Sequence, residues 1–261
     1  MSTHEQWVYS IAMPDFTREE IEAVVKASQK FEKANLADID LIRADLRGAT
    51  LREANLRGAD LRLANLRSAD LSGADLQGAS LGHADLRWAN LDMVDLSGAN
   101  LEGTDLHGAY LFGANLSEAN LGEVNLQWAC LYGADLSRAD LREAKLNETY
   151  LHRADLSKAN LSEAHLNGSS LQYANLRDAN MRRADVRGAD LRWANLRDAD
   201  LRRADLSNAN LREAHLQGTY LAHFGSEAEL LEADLRGARY DKNTWLPDDV
   251  DPETEGMVLK E

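Results

Sequence analysis

Seven histidines, one cysteine and 44 carboxylates are among the side chains of this 261-residue chain that could bind a metal, move a proton or attack an electrophile. Their spacing argues against all three. His4, His83, His107, His152, His165, His215 and His223 are scattered, and none stands at the intervals from Cys, Asp or another His that a zinc site uses. Cys130 is the single cysteine, which excludes an intramolecular disulfide, fits a reducing cytoplasm and reads as an inert thiol. No glycine-rich loop follows a strand and opens a helix to cradle phosphate. The carboxylates are usually near an arginine, and a solvated, paired carboxylate lacks the raised pKa that general acid work needs. The expectation is a protein that is not an enzyme, with no cofactor, no metal and no small-molecule substrate.

What positions these residues is a leucine at every fifth residue from Leu36 to Leu221. Of 38 consecutive slots only Met181 and Val186 depart. A helix asks for apolar residues every three to four positions and a flat strand for every second one, so five fits neither. It suits a chain that bends at regular intervals, one short extended segment and one corner per repeat. Four segments close a square coil of about twenty residues, and stacked coils make a parallel β-solenoid. Alternation along each segment turns the Leu and the residue two before it inward, and the residue between them and the two that follow outward. The inner companion is Ala in 31 of the 38 repeats, the exceptions being Ile39, Val94, Thr104, Val124, Thr149, Ser169 and Thr219. A narrow interior holds one large and one small side chain per side, and a second Leu would overpack it. Glycines such as Gly48, Gly58 and Gly133 end many repeats, suiting corners of positive φ. No proline occurs between Pro14 and Pro247, so interior amides remain available to a ladder between coils.

The array Ala-(Asp/Asn)-Leu-x-x, as in Ala54-Asn55-Leu56-Arg57-Gly58 and Ala204-Asp205-Leu206-Ser207-Asn208, resembles the pentapeptide-repeat family. The resemblance implies an all-β solenoid: a right-handed quadrilateral parallel β-helix, here of about nine to ten coils and roughly 45 Å long at ~4.8 Å per coil.

End coils lack a neighbour and need caps. Thr17-Arg18-Glu19-Glu20 reads as a capping box before Ile21, Val24, Val25 and Phe31, predicting a helix over 18–32. After Leu221, the run from Ser226 to Glu232 reads as a short helical insertion. The consensus resumes one residue out of phase at Ala233-Asp234-Leu235, Tyr240 and Trp245. The segment from Tyr240 to Pro247 resembles a closing motif of bacterial, especially cyanobacterial, members. The organisation is therefore 1–33 as N-terminal segment with capping helix, 34–225 as β-helix, 226–247 as insertion and closing coil, and 248–261 as an acidic, mobile tail. No secretory leader or membrane-spanning run is evident, and a cytoplasmic location is expected.

The net charge of −15 bears on function. The family includes proteins that mimic B-DNA and bind DNA gyrase, which makes a DNA-mimicking regulator of gyrase or topoisomerase one alternative. The coils from 36 to 225 hold 21 basic and 27 acidic residues. Duplex DNA of the same length carries about 26 charges, so the rod is a poor electrostatic copy. Direct nucleic-acid binding is not expected either. Arginines twenty apart, such as Arg47, Arg67 and Arg87, stack in columns, but carboxylates intervene and the columns read as surface ion-pair ladders. The sharper signal is aromatic. On the side with Leu111, Leu131, Leu151, Leu171 and Leu191, the outward slots hold Tyr110, Phe112, Tyr132, Tyr150, His152, Tyr173 and Trp193. Outward aromatics clustered over several coils suit a protein contact surface, although stacking between coils alone would also favour them. Gly113 and Gly133 flank this side and would let a partner approach. The leading expectation is a rigid protein-interaction scaffold, with self-association through this side or the N-terminal helix as one form. A purely structural rod is the other alternative.

Overall fold

The computed structural model describes Glu19 and residues 31–220, 234–240, 242–246 and 250–259. From Asn35↔Asn55 to Asp200↔Tyr220, every residue preceding a leucine pairs in parallel with its equivalent one coil, or 20 residues, further on. The chain therefore winds through four sides, marked by Leu36, Leu41, Leu46 and Leu51, before returning to the first.

Backbone hydrogen bonding explains why five residues suffice. In the repeat 115–119, Asn115 N donates back to Val94 O of the preceding coil at 2.9 Å. Leu116 N and Glu118 N donate forward to Asp135 O and Ser137 O at 2.6 and 3.0 Å, and Ala119 N closes the corner on Leu116 O at 3.1 Å. The fifth donor, Ser117 N, reaches the Asn115 side chain at 3.1 Å. All five amides are thus satisfied, three by neighbouring coils, one by the turn and one by the Asp/Asn side chain. This corrects the expectation that the Asp/Asn slot simply faces water. Its carboxylate or amide forms an Asx-turn, and that is why the slot alternates between these two residue types.

The corner from Leu to the next Ala is a type II turn whose third residue is left-handed. Gly133 occupies that position at φ 65°, but so do Leu63 at 60° and Trp193 at 59°. A side chain there costs about 1–2 kcal/mol, which the ladder offsets. The interior is lined by leucines and alanines at or near zero exposure, with Met181 and Val186 equally buried in leucine slots. Thr104 and Thr149, in the alanine slot, donate Oγ1 to Leu81 O and Leu126 O at 2.8 Å. Ser169 Oγ, buried in the same slot, has no partner.

The ends differ from expectation. The helix expected over 18–32 lies, apart from Glu19, Phe31 and Glu32, outside the described residues. Phe31 does not belong to it: its amide bonds to Thr50 O at 2.8 Å and its buried ring fills a leucine slot, so the coil begins one repeat early. The expected helical insertion falls within 221–233, outside the described residues. Asp234 then pairs with Asp205, 29 residues back, and Leu235 resumes the core. Trp245 pairs with His215 in the outward slot and is exposed, leaving Leu246 rather than Trp245 partly buried against the core. The tail is not a free strand of chain throughout. Residues β1 Arg239–Tyr240 and β2 Val258–Leu259 pair in parallel, with Val258 N bonded to Ala238 O at 2.8 Å, adding a last rung.

Candidate interaction face

Side 4, the side carrying Leu51 to Leu211, displays the aromatic residues where, on the rungs of Leu111, Leu131 and Leu151, the slots flanking the leucine lack the usual Asp/Asn and Arg. Five of the seven predicted residues form one continuous pile along the rod. Phe112 and Tyr132 stack at 5.5 Å and 11°, and Tyr132 and His152 at 5.2 Å and 18°. Tyr173 meets His152 edge-on at 5.4 Å and stacks on Trp193 at 4.7 Å and 7°. Each ring sits one coil from the next, and at the three stacked pairs the faces cover one another. Arg153 lies over Tyr173 at 5.7 Å and Arg192 over Trp193 at 5.2 Å, consistent with cation–π contacts. Tyr110 and Tyr150 stand apart from this pile, in the pairing column on either side of Cys130, and are half exposed.

Sequence reasoning missed three further members. Trp88 and Trp128 sit on the corner that leads directly into side 4, and Met93 on the corner that leaves it. In the sequence Trp88 and Trp128 read as aromatics of the neighbouring side, because a corner residue belongs to two sides, and Met93 shares the column of Tyr173 and Trp193 but is not aromatic. Trp88 leans onto the next coil, where a Cβ on Gly108 would collide with its indole. Gly113 is likewise covered: a Cβ there would meet Met93 Sδ at 2.7 Å, whereas Gly133 is open, as expected. Of the nine large apolar side chains exposed between 63 and 220, only Leu63 and Tyr220 lie elsewhere. The patch thus runs from Trp88 to Trp193 along one side.

Apart from Leu63 and Tyr220, the remaining surface of the coils is largely polar, with many of its charges paired to one another. Arg87 reaches Asp85 at 2.6 Å and Asp105 at 3.5 Å, and Arg67 reaches Asp85 at 4.0 Å, giving the expected ion-pair ladder. Asn175 and Asn195 add an amide ladder, with Asn195 Nδ2 donating to Asn175 Oδ1 at 3.1 Å. At the edge of side 4, burial raises the Asp190 carboxyl, but hydrogen bonds from Arg192 outweigh it and hold the group below its usual range. A shallow depression on the opposite corner is lined by Glu123, Glu143, Lys145, Glu163, His165 and Arg183, with Arg183 and Glu163 paired at 2.9 Å. Among the described residues, no group of three or more His, Cys, Asp or Glu is placed to hold a metal ion, and no helix is long and apolar enough to cross a membrane.

The family model for pentapeptide repeats matches eight times between residues 30 and 223. HetL, a pentapeptide-repeat protein involved in heterocyst differentiation regulation from the cyanobacterium Nostoc sp. strain PCC 7120, is 35% identical. That alignment covers 86% of this chain and 97% of HetL, with a TM-score of 0.54, and the likeness implies a right-handed coil. Alr5209, a pentapeptide-repeat protein from Nostoc PCC 7120, is 40% identical over 42% of this chain and 84% of its own, with a TM-score of 0.39. QnrB1, a plasmid-mediated fluoroquinolone resistance protein, is 14% identical over 87% of this chain and 92% of its own, with a TM-score of 0.45. No curated protein sequence matches the chain.

Proposed function

Because this chain belongs to the pentapeptide-repeat family, we propose that it is a non-enzymatic cytoplasmic scaffold, a rigid rod that docks a protein partner on side 4. The observation that carries this reading is the confinement of seven of the nine large apolar side chains exposed between 63 and 220 to one side and its two corners. Stacking between coils accounts for the pile from Phe112 to Trp193, whose rings cover one another. It does not account for Tyr110, Trp128 and Tyr150, which have no ring one coil away in their own column and remain about half exposed, whereas Trp88 meets His107 of the next coil edge-on at 5.3 Å. A contiguous apolar surface of this kind, bordered by charged and polar residues, is the composition of an interface centre and its rim.

The test is affinity capture from the native organism with the wild type and a Tyr132→Ser/Tyr150→Ser variant. Both are expected to fold, since both residues are outward, and only the wild type should retain its specific partner. Equal recovery by the two proteins would refute docking on side 4.

A further inference from the structure

We propose that the partner of side 4 is side 4 of a second copy, the two rods lying antiparallel about a two-fold axis between the Leu111 and Leu131 rungs. This inference rests on side 4 being a docking surface and identifies what docks there.

The charge pattern selects the register. Around Leu111 and Leu131 the outward positions are Tyr110, Phe112, Trp128, Cys130, Tyr132 and three glycines, with no charge among them. The rung on the N-terminal side carries Asp92, with Trp88 at its corner, and the rung on the C-terminal side carries His152 and Arg153, with Glu148 at the corner that would meet Trp88. A two-fold axis across the rod reverses the order of rungs and keeps each column opposite itself. Placed between the two uncharged rungs, it sets them on one another at the centre. Asp92 of each copy then faces His152, beside Arg153, of the other. Dry centre and charged rim follow from one choice of axis.

Shape agrees. In the antiparallel register Tyr110 meets Cys130 and Tyr150 meets Asn90, large against small, and Phe112 on Tyr132 is the one ring pair. A parallel pair would set Tyr110 on Phe112 and Tyr150 on His152, ring against ring. Six rungs at ~4.8 Å, with side chains about 20 Å wide, present about 600 Å² per copy. Two copies bury roughly 1,200 Å², the lower bound for a specific interface, so the dimer should be reversible and concentration-dependent.

Sedimentation velocity of the full chain from about 1 to 100 µM tests this, with thermal melting as the control for folding. The wild type should shift from monomer to dimer across the range. Arg153→Asp, which sets two carboxylates together, should weaken the dimer about tenfold, and adding Asp92→Arg should recover most of that loss. Asp92 Oδ1 accepts the Phe112 amide at 2.8 Å, so Asp92→Asn serves as a milder variant that keeps an acceptor and should weaken the dimer without altering melting. A dimer indifferent to Arg153→Asp and Asp92→Asn, or a folded double variant no better than the single, would overturn the register. A monomer at every concentration overturns the second copy as partner. If capture of another protein still depends on Tyr132 and Tyr150, the docking surface stands without it, and if it does not, both readings fall.

Discussion

Asp185 accepts the Arg187 amide at 3.3 Å and pairs with its guanidinium at 2.7 Å, so one side chain both completes the corner and anchors a surface arginine. The two contributions separate by substitution. Asp185→Asn keeps the turn acceptor and should cost less than about 1 kcal/mol, as an exposed ion pair does. Asp185→Ala leaves the amide without its acceptor and should cost about 1–2 kcal/mol. The hydrogen bond from Arg187 holds the Asp185 carboxyl below its ordinary value of 3.8, and Arg62 and Arg236 act likewise on Asp60 and Asp234. A carboxyl lowered in the folded state stabilises it above the ordinary value, and that stability is lost as pH falls from there through the lower folded value. Melting temperature should therefore be steady between about pH 5 and 7 and fall below about pH 4, less steeply in Asp185→Asn. Ser169 gives the opposite sign. Its buried hydroxyl has no partner, and Ser169→Ala should raise stability by about 1 kcal/mol in thermal unfolding.

A single rung has little of its own to hold it. Its leucine and alanine are buried only because coils lie above and below, and three of its five amides bond to those coils. Leu131→Ala should cost about 2–5 kcal/mol through the cavity it leaves. Ala134→Leu should cost about 1–3 kcal/mol or more, because neighbouring coils leave no room for relaxation. Amide exchange should be slowest near Leu111 and Leu131 and faster toward both ends, where rungs have one neighbour. The inner slots are legible in the sequence because alternation decides which side of a segment a residue takes. The Asp/Asn role is not, because its hydrogen bond runs along the chain to the amide two residues on, which in-and-out patterning does not register. Phe31 and Trp245 were misplaced for a related reason. Near the ends, register is set by pairing to the adjacent coil, and neither residue carries the Ala-Asp-Leu signature that marks register elsewhere.

At the scale of the molecule, the rod divides its surface between three polar, internally paired sides and one aromatic side. The seven predicted residues of that side were legible from the twenty-residue column spacing. Trp88 and Trp128 read as belonging to the neighbouring side, because assigning each residue to one side hides what a shared corner contributes to the next, and Met93 does not register because it is not aromatic. Those corner residues widen the patch, and Tyr110, Trp128 and Tyr150, with no ring one coil away in their columns, separate the account from one in which the rings only stabilise coil stacking. Oxidative footprinting, reading tryptophan, tyrosine and leucine modification by mass spectrometry, compares the sides in one sample. On raising protein concentration or adding a captured partner, Trp88, Trp128 and Tyr150 should become protected while Leu63 and Tyr220, similarly exposed on other sides, stay reactive. Protection of Leu63 and Tyr220 with side 4 unchanged, or no protection anywhere in the presence of a bound partner, would contradict the assignment of side 4 as the docking surface.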